Sequence, residues 1–159
     1  MRFLGIDYGL ERTGLAISDP SGSLVFPLKT LRLADFGTRK ALLDALAAII
    51  RQEAAEACVM GLPVPLEGEE TLICRQIRNV TERLKRRVAV PFYFMNEALT
   101  SYLAWEDLRQ SGVKEAKRRQ VLDQQAAVRI LEAFLAEAER QGPSFLTKAD
   151  VAACDNQPQ

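Results

Sequence analysis

Hydrophobic positions come first in short runs and later at helical spacing, and the change of period divides the chain. Arg2 to Tyr8 is a short apolar run and reads as a buried strand, with Gly9-Leu10-Glu11-Arg12 as the turn that follows. Thr13 to Ser18 reads as a second strand. After the turn cluster Asp19-Pro20-Ser21-Gly22-Ser23, a third strand lies around Leu24 to Leu31, and Pro27 confines it to a sheet edge. Together these predict an antiparallel meander. Phe36, Leu42, Leu43, Leu46, Ile49 and Ile50 then fall on one side of a helix from about Asp35 to Glu53.

Ala57 to Leu62 reads as a buried strand closing on Gly61-Leu62-Pro63. A polar loop from Val64 to Glu70 leads to a helix over about Thr71 to Arg87, and Val88 to Met95 reads as a last strand ended by Asn96-Glu97. Two further helices are predicted, roughly Thr100 to Ser111 and Arg118 to Arg140, joined by a polar link from Gly112 to Lys117 that is expected to be mobile. Residues 1–140 make one domain and 141–159 a poorly ordered tail. The order β-β-β-α-β-α-β-α-α predicts an α/β fold, one mixed sheet with helices on both faces.

Composition narrows the chemistry. A chain of 159 residues can bury ~70% of its unfolded surface, so it folds without disulfides or a structural metal. Lys+Arg and Asp+Glu both number 21, a formal net charge of zero. A nucleic-acid partner must therefore be held by a local basic patch. Cys58, Cys74 and Cys154 are too far apart for a zinc knuckle and read as free thiols in a reducing compartment. Asp7 breaks the first apolar run, which is no signal peptide, and nothing reaches the ~20 apolar residues of a membrane span. The expected location is cytoplasmic, with no membrane partner. There is no histidine, which removes Ser-His-Asp and Cys-His mechanisms and the usual zinc sites.

Three carboxylates then stand out. Asp7 sits among residues that want burial, where a carboxylate is costly unless paired, hydrogen-bonded or bound to metal. Gly5, Gly9 and Gly14 around it let another backbone or a phosphate approach closely. Glu97 follows the apolar strand Phe92 to Met95 just before a helix; alone it also reads as a cap. Asp123 lies in the first turns of an apolar-faced helix, where a favourable interaction with the positive helix end is the plainer explanation. Taken together, the three can converge at one sheet edge. Gathered carboxylates favour hard divalent cations, and a pair of such ions can hydrolyse a phosphodiester without histidine. The Asp7-Gly9-Gly14 spacing also opens actin-like and sugar-kinase ATPases, but this chain has no room for their second half.

The four blocks resemble the YqgF/RuvX family, pre-16S rRNA nucleases or Holliday-junction resolvases. Leu4 to Asp19 is similar to its opening hairpin, Gly61-Leu62-Pro63 with Gly68 to its Gly-Leu-Pro loop, Asn96-Glu97-Ala98-Leu99-Thr100-Ser101 to its Asp-Glu-Arg-Leu motif, and Val121-Leu122-Asp123 with Ala126-Ala127 to its Asp-bearing helix. The resemblance implies a ribonuclease H-like five-stranded sheet in the order 3-2-1-4-5, with Asp7 on the central strand. It implies Asp7, Glu97 and Asp123 as catalytic residues and ligands of Mg2+ or Mn2+. Gly9, Arg12, Gly14, Lys114, Lys117, Arg118 and Arg119 are then substrate-binding, while Lys85, Arg86 and Arg87 read as a solvated helix end. The implied partner is nucleic acid, RNA before DNA, within ribosomal precursor particles; the oligomeric state is open.

Three positions depart from the family pattern: Asn96 replaces an acid, Ala98 an arginine, and Pro65 an asparagine. Neighbours on a strand face opposite ways, so Asn96 and Glu97 cannot both face the metals. If Asn96 holds the ligand position, metal binding weakens; Ala98 removes a planar, bidentate phosphate donor; and a reduced-activity or binding-only version of the fold is therefore the alternative.

Overall fold

The computed structural model describes residues 1–63, 71–96 and 115–142, with residues 115–121 described by backbone alone. Three strands open the chain: β1 (Phe3–Tyr8), β2 (Arg12–Ser18) and β3 (Val25–Arg32). A short helix α1 (Leu33–Phe36) precedes α2 (Arg39–Gln52), then come β4 (Ala57–Leu62), α3 (Leu72–Lys85), β5 (Phe92–Asn96) and α4 (Glu115–Gln141). The sheet order is β3-β2-β1-β4-β5, as expected, with β1 central. Strands β1, β4 and β5 run parallel and β2 and β3 antiparallel to their neighbours.

Alternation along each strand sends its side chains to two separate cores. Leu4, Ile6, Leu15, Met60 and Phe92 pack with Leu43, Leu46 and Ile50 of α2 and Ile77 and Leu84 of α3. Each of these large side chains contributes about 1.5–3 kcal/mol by leaving water. The other face carries smaller residues. Ala16, Ala57 and Val59 pack there with Ala127, Ile130, Leu131 and Phe134 of α4. Phe134 anchors that helix, its ring centroid 6.0 Å from that of Phe3 and 5.3 Å from that of Tyr93.

Three element starts differ from expectation. The helix expected from Asp35 is broken by Gly37, whose φ of 78° lies in the left-handed region. Helix α2 starts afresh with Thr38 as its cap, accepting from the Ala41 amide. The last strand begins at Phe92 rather than Val88, because the Val88 amide still bonds back to the Leu84 carbonyl at the end of α3. Helix α4 starts at Glu115, so Glu115, Ala116 and Lys117 are helical rather than a loose link. The remainder of that link, the helix expected over 100–111 and the tail over 143–159 lie outside the described residues.

Candidate active site

In open α/β sheets the crevice beyond the carboxyl ends of the parallel strands is where ligands bind. Tyr8, Leu62 and Asn96 close β1, β4 and β5 at that end. Asp7 is the penultimate residue of β1. Its neighbours Ile6 and Tyr8 point into the core with α2 and α3, so Asp7 faces α4, and it is half-buried.

Asp7 is the cross-strand partner of Gly14, and Gly14 in turn of Thr30. This row of three faces α4, and Asp123 lies over its middle member. A Cβ on Gly14 would stand 2.0 Å from the Asp123 carbonyl oxygen and 2.3 Å from its carbonyl carbon. The close approach anticipated at Gly14 is thus made by another backbone. Gly5, one step along the same face, meets the Ala127 carbonyl in the same way, at 2.9 Å. The next residue of α4 ties the helix down: the Gln124 amide donates from Nε2 to Thr30 Oγ1, at 3.1 Å.

The helix therefore brings Asp123 beside Asp7 through packing and register. Asp123 is more than two turns into α4, and a helix-end charge effect fades within the first turn. The helix-end explanation offered by the sequence is thereby displaced. A cleft of about 450 Å³ is lined by Gly9, Leu10, Glu11, Arg12, Leu122 and Asp123, and Asp7 is not among its lining residues.

Asn96 is placed elsewhere. It pairs with Leu62, which belongs to the core with α2 and α3. Asn96 thus sits on the face opposite Asp7, and is itself exposed. Glu97 and Lys114 lie outside the described residues. Lys117, Arg118 and Arg119 are on α4, one to two turns before Asp123. The second basic run has structural partners: Arg87 Nε donates to Asp44 Oδ1 at 2.9 Å and Lys85 Nζ to Glu82 Oε1 at 3.4 Å. Neither described thiol suits nucleophilic work. Cys58 and Cys74 are buried, and burial pushes the Cys58 thiol well above its ordinary range.

Sequence reasoning missed Thr30 and Gln124. Their contact depends on which β3 residue stands opposite which β2 residue, and a bulge shifts that register between Leu15 and Ala16. Along β3 the only sequence signal is alternation around the buried Leu31.

Among the described residues no three acidic or thiol side chains gather as a metal centre. The donor set that is present, half-buried Asp7 and half-buried Asp123, whose backbone packs on the strand partner of Asp7, has the carboxylate chemistry that suits a hard divalent cation.

The sheet order, with a long helix laid across one face, defines a ribonuclease H-like fold. Thermus thermophilus RuvC, in a structure described as a complex with Holliday junction substrate, has the same fold: the TM-score is 0.52 at 17% identity, covering 89% of this chain and 96% of that one. The family model described as "RuvX: Holliday junction resolvase" matches residues 1–137, and the chain belongs to that family. A relative from Nitratidesulfovibrio vulgaris (strain DP4), named "Putative pre-16S rRNA nuclease", is 49% identical over 89% of this chain and 97% of its own length. A protein of the same name from Lawsonia intracellularis is 43% identical over 89% of this chain and 97% of its own.

Proposed function

We propose that this protein is a metal-dependent nuclease that hydrolyses phosphodiester bonds, and that its substrate is the 5′ end of precursor 16S ribosomal RNA. The observation that carries the reading is the docking of the Asp123 backbone on Gly14, the strand partner of Asp7. Asp7 and Asp123 would hold Mg2+ or Mn2+, with Glu97 as a third carboxylate. Tyr93 and Met95 of β5 share the face of Asp7; Glu97 lies outside the described residues, and its role rests on the family resemblance. A divalent ion bound there supplies Lewis acidity for attack on a phosphodiester.

The chain's own residues do the rest. Arg12 reaches the cleft beside Asp123 and offers a planar, bidentate donor to phosphate. Gly9 lets the turn into β2 close tightly beside the cleft, since a Cβ there would stand 2.6 Å from the Arg12 carbonyl oxygen. Lys114, Lys117, Arg118 and Arg119, which precede Asp123 in the sequence, would supply positive charge for the nucleic acid, which matters because the net charge is zero. The names of the curated relatives favour RNA within ribosomal precursor particles, and with it a cytoplasmic location. Among the described residues no helix is long and apolar enough to cross a membrane.

A second reading, resolution of branched DNA, is favoured by the family description and the fold of RuvC. It would require a symmetric dimer to cut a junction evenly. The placement of Asn96 on the Leu62 face speaks against one ground for a reduced-activity or binding-only protein, a lost metal ligand; the other ground, the arginine replaced by Ala98, stands. The test is cleavage of precursor 16S rRNA and of a four-way DNA junction, each with magnesium and with chelator. Magnesium-dependent cleavage of the RNA, abolished in a folded Asp7→Asn protein, is expected. Cutting that survives chelation or Asp7→Asn refutes the mechanism, and cleavage of the junction alone moves the assignment to the resolvase.

A further inference from the structure

Arg12 and Arg32 stand directly opposite each other on β2 and β3. The next residues outward, Glu11 and Leu33, share a ladder hydrogen bond, with the Leu33 amide donating to the Glu11 carbonyl at 2.9 Å. Bonded and non-bonded pairs alternate in an antiparallel ladder. Arg12 and Arg32 therefore form a non-bonded pair, the kind whose Cα atoms come to ~4.5 Å and whose side chains are closest. The pair after them, Thr13 and Leu31, is only 1% and 2% exposed, with Leu31 in the core under α2 and α3. Both arginines thus lie on the other face, the face of Asp7 and Asp123. Two independent contacts agree: Arg12 lines the cleft with Asp123, and Thr30, two residues before Arg32, is bonded to Gln124 of α4.

Like charges directly opposite across a ladder destabilise it. Among the described residues neither guanidinium is in an ion pair that would offset the repulsion. A shared anion would turn the repulsive pair into a binding site. A phosphodiester phosphate has the right chemistry, with two non-bridging oxygens for two planar forks. The position is apt as well, because Asp7 and Asp123 repel an incoming polyanion and positive charge beside them offsets that.

We propose that Arg12 and Arg32 form a clamp for one phosphate of the nucleic-acid backbone, next to the phosphate that is cut. The inference rests on the nucleic-acid reading above and adds Arg32 and the pairing to it. The test measures binding in chelator, so that nothing is cleaved, of a single-stranded RNA oligonucleotide and a four-way DNA junction across a series of salt concentrations. The proteins are the wild type, Arg12→Gln, Arg32→Gln, the double variant, and Arg86→Gln as an exposed control on the far side of the sheet.

Removing both clamp arginines should flatten the log-log salt slope by ~0.7 on the single strand or ~0.9 on duplex arms, the value for one phosphate, with part of that change in each single variant and Arg86→Gln unchanged. Tripolyphosphate should raise the Tm of the wild type and lose that effect in either clamp variant, while the ligand-free Tm of Arg32→Gln stays level or rises. An unchanged slope in Arg32→Gln, equal flattening in Arg86→Gln, or no salt-dependent binding by the wild type would overturn the clamp. A manganese titration of the same proteins separates the two ideas. Flattened slopes without manganese binding keep the clamp and reject the metal mechanism; manganese-dependent cleavage with unchanged slopes does the reverse.

Discussion

The Asp123 carbonyl oxygen occupies the space where Gly14 would carry a side chain, 2.0 Å from the ideal Cβ position. Because Gly14 is also the strand partner of Asp7, a single hydrogen-sized side chain fixes how near the two acids come. The atom in the way is backbone, so no rotamer change relieves the clash. Gly14→Ala should lift α4 from the sheet. Expected are a loss of about 1–3 kcal/mol in chemical denaturation, the usual range for overpacking, and loss of cleavage out of proportion to the unfolded fraction. Wild-type stability in this variant would show that the helix does not rest on Gly14.

Thr30 and Gln124 hold the same helix from its other side, through the 3.1 Å hydrogen bond. Thr30→Val keeps the shape and removes the acceptor, which should cost about 0.5–1.5 kcal/mol and raise the manganese concentration needed for half-saturation. Thr30→Ser should restore manganese affinity. A purely structural bond would lower stability and leave that affinity alone, so calorimetric titration of the three proteins decides.

Asn96→Asp bears on the departure from the family pattern. Asn96 shares the Leu62 side of the sheet and is exposed, so a new carboxylate there faces away from Asp7 and stays in water. Magnesium affinity and cleavage rate should be unchanged, and stability should move by no more than about 0.5 kcal/mol, as for ordinary surface replacements. A clear gain in magnesium affinity would mean that β5 presents its other residue to the metal.

Asp19 governs a pH-dependent part of stability at the opposite end of the hairpin. Its carboxylate accepts from Ser21 Oγ and from the Ser23 and Leu24 amides, which lowers its pKa to about 2 from the ordinary 3.8. A carboxylate with a depressed folded pKa contributes stability above its unfolded pKa and loses it as pH falls through the folded value. Between about pH 4 and pH 2 the wild type should therefore lose stability more steeply than Asp19→Asn. Parallel acid titrations followed by circular dichroism would check this, and identical slopes would reject it.

Much of the fold was legible because hydrophobic period reports local structure directly. Val59 and Met60 sit in a run too short for a helix, and Leu42, Leu43, Leu46 and Ile50 recur at a spacing only a helix can bury on one side. The end of α3 was not legible in this way. Apolarity at Val88 suggested a strand, while a backbone hydrogen bond to Leu84 kept the chain in the helix end, and hydrogen bonding of that kind leaves no compositional trace.

The sequence by itself determined most of the elements among the described residues, a chemically costly acid at Asp7 with Asp123 as a candidate beside it, and, through the order of its motif blocks, the family. Only the tertiary structure decided which residues stand together. Asp7, Gly14 and Thr30 form one row because hydrogen-bonded register aligns three strands; Asp123 joins them because glycine alone leaves room for a helix backbone; and Arg32 faces Arg12 although twenty positions separate them in the chain. Register is a cooperative property of the whole sheet: a one-residue slip would turn every side chain to the other face, and no local pattern of residues records the outcome.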